Sequence, residues 1–254
     1  MRPRALQATL LPGALLVAWQ IWALSLPPRS PAPSPAGVVR TAIDLLAQGG
    51  LLAATVQSFV QVLGGFVLGG CVALALGVLM GAVPAIRHNL DPIIESFRPV
   101  AAIAILPVVI LWFGTGTSSA VIIVAYAAFF PLVINTIHGV SQVDRRLVAA
   151  ARTMGVAERR ILARVVLPAA LPSIFIGARL AMGTAWTAII AAELAVGAKA
   201  GGGSGGLGNM MFVFYAYSVD LNGIVVCMIV VGLVSLAMDA SLRAGARKAM
   251  PWRS

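Results

Sequence analysis

Apolar residues in this chain come in long runs, and the polar residues collect between them. A helix that crosses about 30 Å of hydrocarbon needs roughly 20 apolar residues at about 1.5 Å each. Six runs reach or approach that length: residues 5–26, about 55–83, roughly 100–113, 120–140, 171–196 and 221–240. The third is short for a span. The pattern predicts an all-α membrane protein with about six transmembrane helices. Between the first two runs, Pro27-Pro28-Arg29-Ser30-Pro31-Ala32-Pro33-Ser34-Pro35 is too rich in proline for a membrane helix and reads as an extended external connector. A short interfacial helix is expected over 38–48. Residues 1–50 therefore stand apart as an N-terminal span with its connector, and residues 51–254 form the core domain.

Composition narrows the class. The chain is 60% hydrophobic and 10% charged, with a mean hydropathy of +0.97. That leaves too little polar surface for a water-soluble domain. Arg2 and Arg4 ahead of the first run resemble the start of a signal peptide. A run of 22 residues is long for such a segment and no clean small-residue cleavage site follows, so it is expected to stay as a helix. Eighteen Lys+Arg face eight Asp+Glu, a net +10, and in this setting the excess reports topology rather than a nucleic-acid partner. With the N-terminus inside, thirteen basic residues fall on the inner side and three (Arg29, Arg40, Lys199) on the outer, while Arg98 and Arg179 lie at or within spans. Both termini are expected in the cytoplasm. Cys71 and Cys227 sit inside apolar runs and form neither a disulfide framework nor a metal cluster.

The longest inner loop, 141–170, is patterned. Residues 144–154 are rich in helix formers. Gly155 then stands where a helix C′ glycine would. A second helical pattern over 158–166 puts Ile161, Leu162, Val165 and Val166 on one side and Arg159, Arg160 and Arg164 largely on the other. Pro168 and Pro172 are expected to end that helix before the fifth span. The product is a helix–glycine turn–helix on the cytoplasmic face, either a basic anchor for anionic lipid or a docking element for another protein.

Ala149-Ala150-Ala151-Arg152-Thr153-Met154-Gly155, nine residues, then Val165-Val166-Leu167-Pro168 resembles the EAA loop of ATP-binding-cassette importer permeases. That pattern is Glu-Ala-Ala, three residues, Gly, nine residues, Ile-x-Leu-Pro. Val165 replaces Ile, and Ala149 replaces the Glu. Further matches are similar to the subfamily importing nitrate, alkanesulfonates and taurine: Asp91-Pro92, Arg98-Pro99, Leu106-Pro107 with Leu111-Trp112-Phe113-Gly114, Phe129-Phe130-Pro131 through Asn135-Thr136, Glu193-Leu194, Gly205-Gly206-Leu207-Gly208 and Pro251-Trp252. The resemblance implies a type I importer permease fold in a bacterial inner membrane. It implies three kinds of partner: a second copy of the chain, two cytoplasmic ATPase subunits and an external solute-binding protein. Ala149, Ala150, Ala151, Arg152, Gly155, Leu167 and Pro168 would meet the ATPase. The chain has no Gly-x-x-x-x-Gly-Lys-Ser/Thr, so ATP and Mg belong to the partner and the chain is not expected to be an enzyme or to bind a cofactor. The implied cargo is a small sulfonate, taurine or nitrate-type anion; a pyrimidine-like vitamin precursor or an aromatic carboxylate stays open.

Polar residues within spans are candidates for a translocation path. They are Asn135, Thr136, Thr184, Trp186, Thr187 and Glu193, each of which also reads as a partner for neighbouring backbone or, for Glu193, as an interfacial carboxylate. Arg179 lies fourteen residues before Glu193, about 21 Å along one helix, and is expected to snorkel to the inner headgroups. Fixed cations are few at mid-membrane, so neutral donors are expected to do most of the work for an anion. Gln57 and Gln61 share a face and read as interhelical bonds. Gly64, Gly65, Gly69, Gly70, Gly77 and Gly81 predict close helix packing, and Pro131 a kink. Gly203-Ser204-Gly205-Gly206-Leu207-Gly208 fits Gly-x-Gly-x-x-Gly formally, but no strand precedes it, and it reads as a flexible outer loop. An intramembrane hydrolase would need a Ser with a His at depth, and neither Gly-x-Ser-x-Gly nor His-Glu-x-x-His is present. An ion-coupled secondary carrier remains the competing function, although buried acids are few.

Overall fold

The computed structural model describes residues 3–27, 32–196 and 205–250, with side chains from Gly13 onward. Lys199, Gly203, Ser204, Pro251 and Trp252 lie outside these described residues. Helix α1, Pro3–Ser25, occupies the first apolar run. Helix α2, Pro35–Ala47, begins at Ser34, whose Oγ accepts the Gly37 N–H at 3.1 Å, with Pro35 already set to a helical φ. Helix α3 runs Gly50–Ala82, and α4 runs Pro84–Phe97. A 3₁₀ turn, Ala102–Ile105, leads into α5, Leu106–Phe113. Then come α6, Thr117–Ser141; α7, Arg145–Thr153; α8, Glu158–Ile161; a π-helical turn, Leu162–Val166; and α9, Leu167–Val196. Helix α10, Leu207–Val213, a second π turn, Phe214–Ser218, and α11, Leu221–Ala249, complete the described chain.

Among the described residues, four helical runs are long and apolar enough to cross a membrane: α3, α6, the continuous Glu158–Val196 and α11. The expected third span differs. Residues 100–113 are not one helix but the second half of a bent pair, Pro84–Phe97 with Ala102–Phe113, meeting at 84°. Pro99 has no N–H with which to continue the α4 ladder, and Pro107 suits a helix start rather than an interior. Pro168 and Pro172 also act otherwise than expected. They do not end the helix: the chain stays helical from Glu158 to Val196. In the π turn Leu167 N–H reaches back five residues to Leu162 O. This wider register shifts the ladder just ahead of the residue that cannot donate to it.

The described chain divides into two compact units. One holds residues 1–57 and 193–232. Its connector is fastened by three long-range hydrogen bonds: Trp19 Nε1 donates to Pro33 O at 3.0 Å, Ala36 N–H to Gln20 Oε1 at 3.2 Å and Ser34 N–H to Asn222 Oδ1 at 3.1 Å.

The other unit holds residues 58–192 and 233–254. Its centre is α6, with Ile123, Val124, Ala128, Leu132 and Val133 at most 2% exposed. Lipid supplies no hydrophobic drive between helices, so close packing has to hold them. Gly65, Gly69, Ala73, Gly77 and Gly81 recur every fourth residue and line one face of α3. A Cβ at Gly65 would stand 2.5 Å from Val124 Cβ, one at Gly77 2.6 Å from Thr136 Cβ and one at Gly81 2.6 Å from Val140 Cβ. One at Gly69 would collide with the Ala125 carbonyl. Ala73 is wholly buried in the same row. Gly64 and Gly70 have ordinary room, 3.7 and 3.5 Å to their nearest neighbours, so four of the six glycines form the seam. A second cluster joins Leu106 and Val109 of α5 to Ile123 of α6 and to Ala188 and Ala192 of α9.

Candidate functional site

The Gly155 loop is built from local rules. Asp144 Oδ1 accepts the Arg146 N–H at 2.8 Å and starts α7. Gly155 has φ +75°, a conformation that suits glycine. Its N–H reaches Arg152 O at 2.9 Å, and Val156 N–H reaches Ala151 O at 3.2 Å, the paired bonds of a Schellman C-cap. Across the turn Arg152 grips Glu158 with two nitrogens, at 2.7 and 3.2 Å. The two parallel bonds fix the angle between α7 and α8, and the carboxylate raises the guanidinium pKa further above its ordinary value. Ala149, Ala150, Arg152 and Gly155 are exposed, Met154 is 73% exposed, and Ala151 is buried beneath them. Leu167 and Pro168 are not in the turn but in the first turn of α9, partly buried. Beside the loop, Arg87, Arg145, Arg152 and Arg159 face a hollow of about 950 Å³.

The second place is a cavity of about 630 Å³ between the middle of α6, the middle of α9 and the break between α4 and α5. Three expected path residues line it: Asn135, Thr184 and Thr187. Thr136 does not. It is fully buried against Gly77, and its Oγ1 donates to Leu132 O at 2.7 Å. Trp186 does not line it either; it is 3% exposed, and its Nε1 finds no partner among the described residues. The reason is helical periodicity. Thr184 and Thr187, three apart, share a face that Trp186 cannot, and Thr136 is turned about 100° from Asn135. Glu193 lies in the other unit, where its buried Oε2 accepts the Gly208 N–H at 2.7 Å at the start of α10. The carboxylate caps a helix N-terminus there.

Most donors in the cavity are already committed. Asn135 Nδ2 donates to Pro131 O at 2.7 Å, Thr184 Oγ1 to Ala127 O at 2.9 Å and Thr187 Oγ1 to Thr184 O at 2.9 Å. Tyr126 Oη donates into the pair formed by Phe97 O at 3.0 Å and Val100 O at 3.2 Å, and so ties the α4–α5 break to α6. Two lining residues with chemistry, Arg98 and Tyr126, were missed because the break that presents them is a tertiary feature. Asp239 was missed too. It takes Arg179 Nε at 2.6 Å and a second Arg179 nitrogen at 3.3 Å, and it also holds Arg243 at 3.0 Å. Arg179 is thus held by a carboxylate on α11.

With its described residues all helical, four apolar spans and a bent pair among them, and an exposed helix–turn–helix carried on the longest run, the chain is a multi-pass membrane protein. The family described as binding-protein-dependent transport system inner membrane component matches residues 73–249. A Methanocaldococcus jannaschii protein named as an ABC transporter permease is 37% identical over 96% of this chain and 90% of its own length. The taurine transport system permease protein TauC of Escherichia coli is 32% identical over 98% of this chain and 92% of its own, and the bicarbonate transport system permease protein CmpB of Synechococcus elongatus 32% over 92% and 87%. A chain from the MetNI methionine ABC transporter, solved in inward-facing conformations, shares the fold with a TM-score of 0.60 at 20% identity, over 81% of this chain and 96% of that one. The chain belongs to the binding-protein-dependent transport system inner membrane component family, and is a multi-pass ABC importer permease of type I fold.

Proposed function

We propose that the chain is the membrane subunit of an ATP-driven importer that carries a small oxyanion, of the sulfonate, taurine, nitrate or bicarbonate kind, delivered by an external binding protein. Two copies would form the path, and two cytoplasmic ATPase subunits would grip the Gly155 loops. Both termini would lie on the ATPase side. The observation that supports this most is continuity: α8, the π turn and α9 form one helical run from Glu158 to Val196. One end of that run is clamped to the docking turn through Arg152–Glu158, and its middle lines the cavity with Thr184 and Thr187. Closure of the ATPases would move the turn, and a rod of this kind carries the displacement to the cavity wall. The oxyanion class draws on relatives named for taurine, aliphatic sulfonates and bicarbonate. The test is uptake of labelled taurine, methanesulfonate, nitrate and bicarbonate by proteoliposomes holding the chain with its ATPase and binding protein. Uptake that needs both partners and ATP is expected; uptake by the chain alone, driven by an ion gradient, would sink the reading.

A further inference from the structure

We propose that Arg98 makes the 630 Å³ cavity an anion-selecting chamber, with its guanidinium as the group that draws an oxyanion into the path. The inference rests on the importer reading above and adds to it the residue that sets the sign of the cargo. Depth comes first. The Tyr126 hydroxyl is bonded to Phe97 O and Val100 O, so the backbone around Arg98 lies beside that hydroxyl. Tyr126 is nine residues from Thr117 and fifteen from Ser141 in α6, about 13 Å from one end and about 22 Å from the other. Tyr126, and with it the backbone beside its hydroxyl, therefore falls within the length of a run apolar enough to cross the membrane, not at its ends. An arginine held within such a length faces a pairing partner or an aqueous path.

Its partner is weak. The nearest carboxylate, Glu95, stands 3.9 Å away, both side chains are more than half exposed, and Glu95 is not among the residues lining the cavity. Arg98 does line it. The neutral groups around it have little left to give, because the hydroxyls of Tyr126, Thr184 and Thr187 and one amide hydrogen of Asn135 already point at carbonyls. Arg98 therefore sets a fixed cation beside the neutral donors expected to meet an anion. The guanidinium holds the larger set of uncommitted donors, in a planar fork that suits an oxyanion.

The test reads local potential without any transport. Thr187, exposed on the cavity wall, is changed to Cys in the full chain in proteoliposomes, with Cys71→Ser removing the exposed native thiol and Cys227 left buried. Modification rates are measured with a sulfonatoethyl and with a trimethylammonioethyl methanethiosulfonate, each normalised to a free thiol. With Arg98 present the anionic reagent is expected to be favoured. Arg98→Gln should lower the anionic-to-cationic ratio about fivefold, since loss of one charge acts with opposite sign on the two probes, and Arg98→Lys should keep it. An unchanged ratio in Arg98→Gln, or a Thr187→Cys thiol that neither reagent reaches, overturns the proposal. A ratio that responds while no oxyanion is imported leaves Arg98 standing and removes the importer reading instead.

Discussion

The Gly155 loop occupies about fifteen consecutive residues, whereas the cavity is assembled from segments near residues 100, 130 and 185. In the loop each structural device acts within six residues of its partner: Asp144 on Arg146, Gly155 on Arg152, Arg152 on Glu158. In the cavity the devices reach across the chain, with Tyr126 bonding Phe97 and Thr184 bonding Ala127. A turn proposed to dock on a separate subunit gains from being self-sufficient, because its exposed residues have little around them. A path through a membrane has to be lined by several helices, and its shape then depends on how closely those helices approach. The loop should therefore tolerate damage to the membrane core, and the core damage to the loop.

The largest effect is expected at the α3–α6 seam. Leucine at Gly69 would drive side-chain atoms into the Ala125 carbonyl, a backbone group that cannot swing aside. The cost should exceed the roughly 1–3 kcal/mol of ordinary overpacking. Gly69→Leu is expected to abolish a monodisperse peak in size-exclusion chromatography, while Gly64→Ala, whose Cβ would meet Val121 at 3.7 Å, should melt within about 0.5 kcal/mol of the parent. Equal behaviour of the two would show that the seam does not depend on close approach.

Next comes the turn. Gly155 has nothing within 4 Å of an added Cβ, so valine there meets no clash, only the strain of a β-branched residue at φ +75°. That strain is about 1–3 kcal/mol and stays local, since the turn can relax into water. Gly155→Val should leave detergent-phase melting close to the parent and abolish co-purification of the ATPase. Gly155→Asn, which accepts the left-handed region, should keep most of it. Undiminished co-purification with valine would remove the turn from the docking surface.

The same contrast explains what could be read in advance. The Gly155 turn was legible because a C′ glycine, an N-cap Asp and helix formers are sequence-local signals, and the seam because glycines at intervals of four mark one helix face. The bent pair over 84–113 was half legible: Pro99 and Pro107 mark a break, but nothing local states an 84° angle between the pieces. The continuous passage through Pro168 was not legible, because it depends on a π register that residue preferences barely encode. Path residues separated by face. Treating Asn135 with Thr136, and Trp186 with its threonines, ignored the 100° that divides adjacent helical positions. The Arg179–Asp239 ion pair joins α9 to α11, and Arg98 lines a cavity walled by α6 and α9, and only the packed structure states either.

The finest test concerns Tyr126. Its ring packs edge-on to Phe130 with centroids 5.0 Å apart, so Tyr126→Phe keeps the aromatic contact and removes only the hydroxyl. That hydroxyl serves two carbonyls at the α4–α5 break, and losing it should cost about 1 kcal/mol of local stability. The Arg98 amide, bonded to Ile94 O, and the Val100 amide, bonded to Phe97 O, should then exchange with deuterium roughly fivefold faster, the rate ratio that such an energy implies. Amides of α7 should not change. If exchange at 98–100 stays as it was, the break is held by backbone alone and Arg98 owes its position to α4. If exchange in α7 rises as well, the loop and the cavity wall are one mechanical body at rest. The contrast between a self-contained turn and an assembled cavity would then have to give way to a stiffer picture, in which the rod from Glu158 to Val196 transmits disturbance in both directions even without the ATPase.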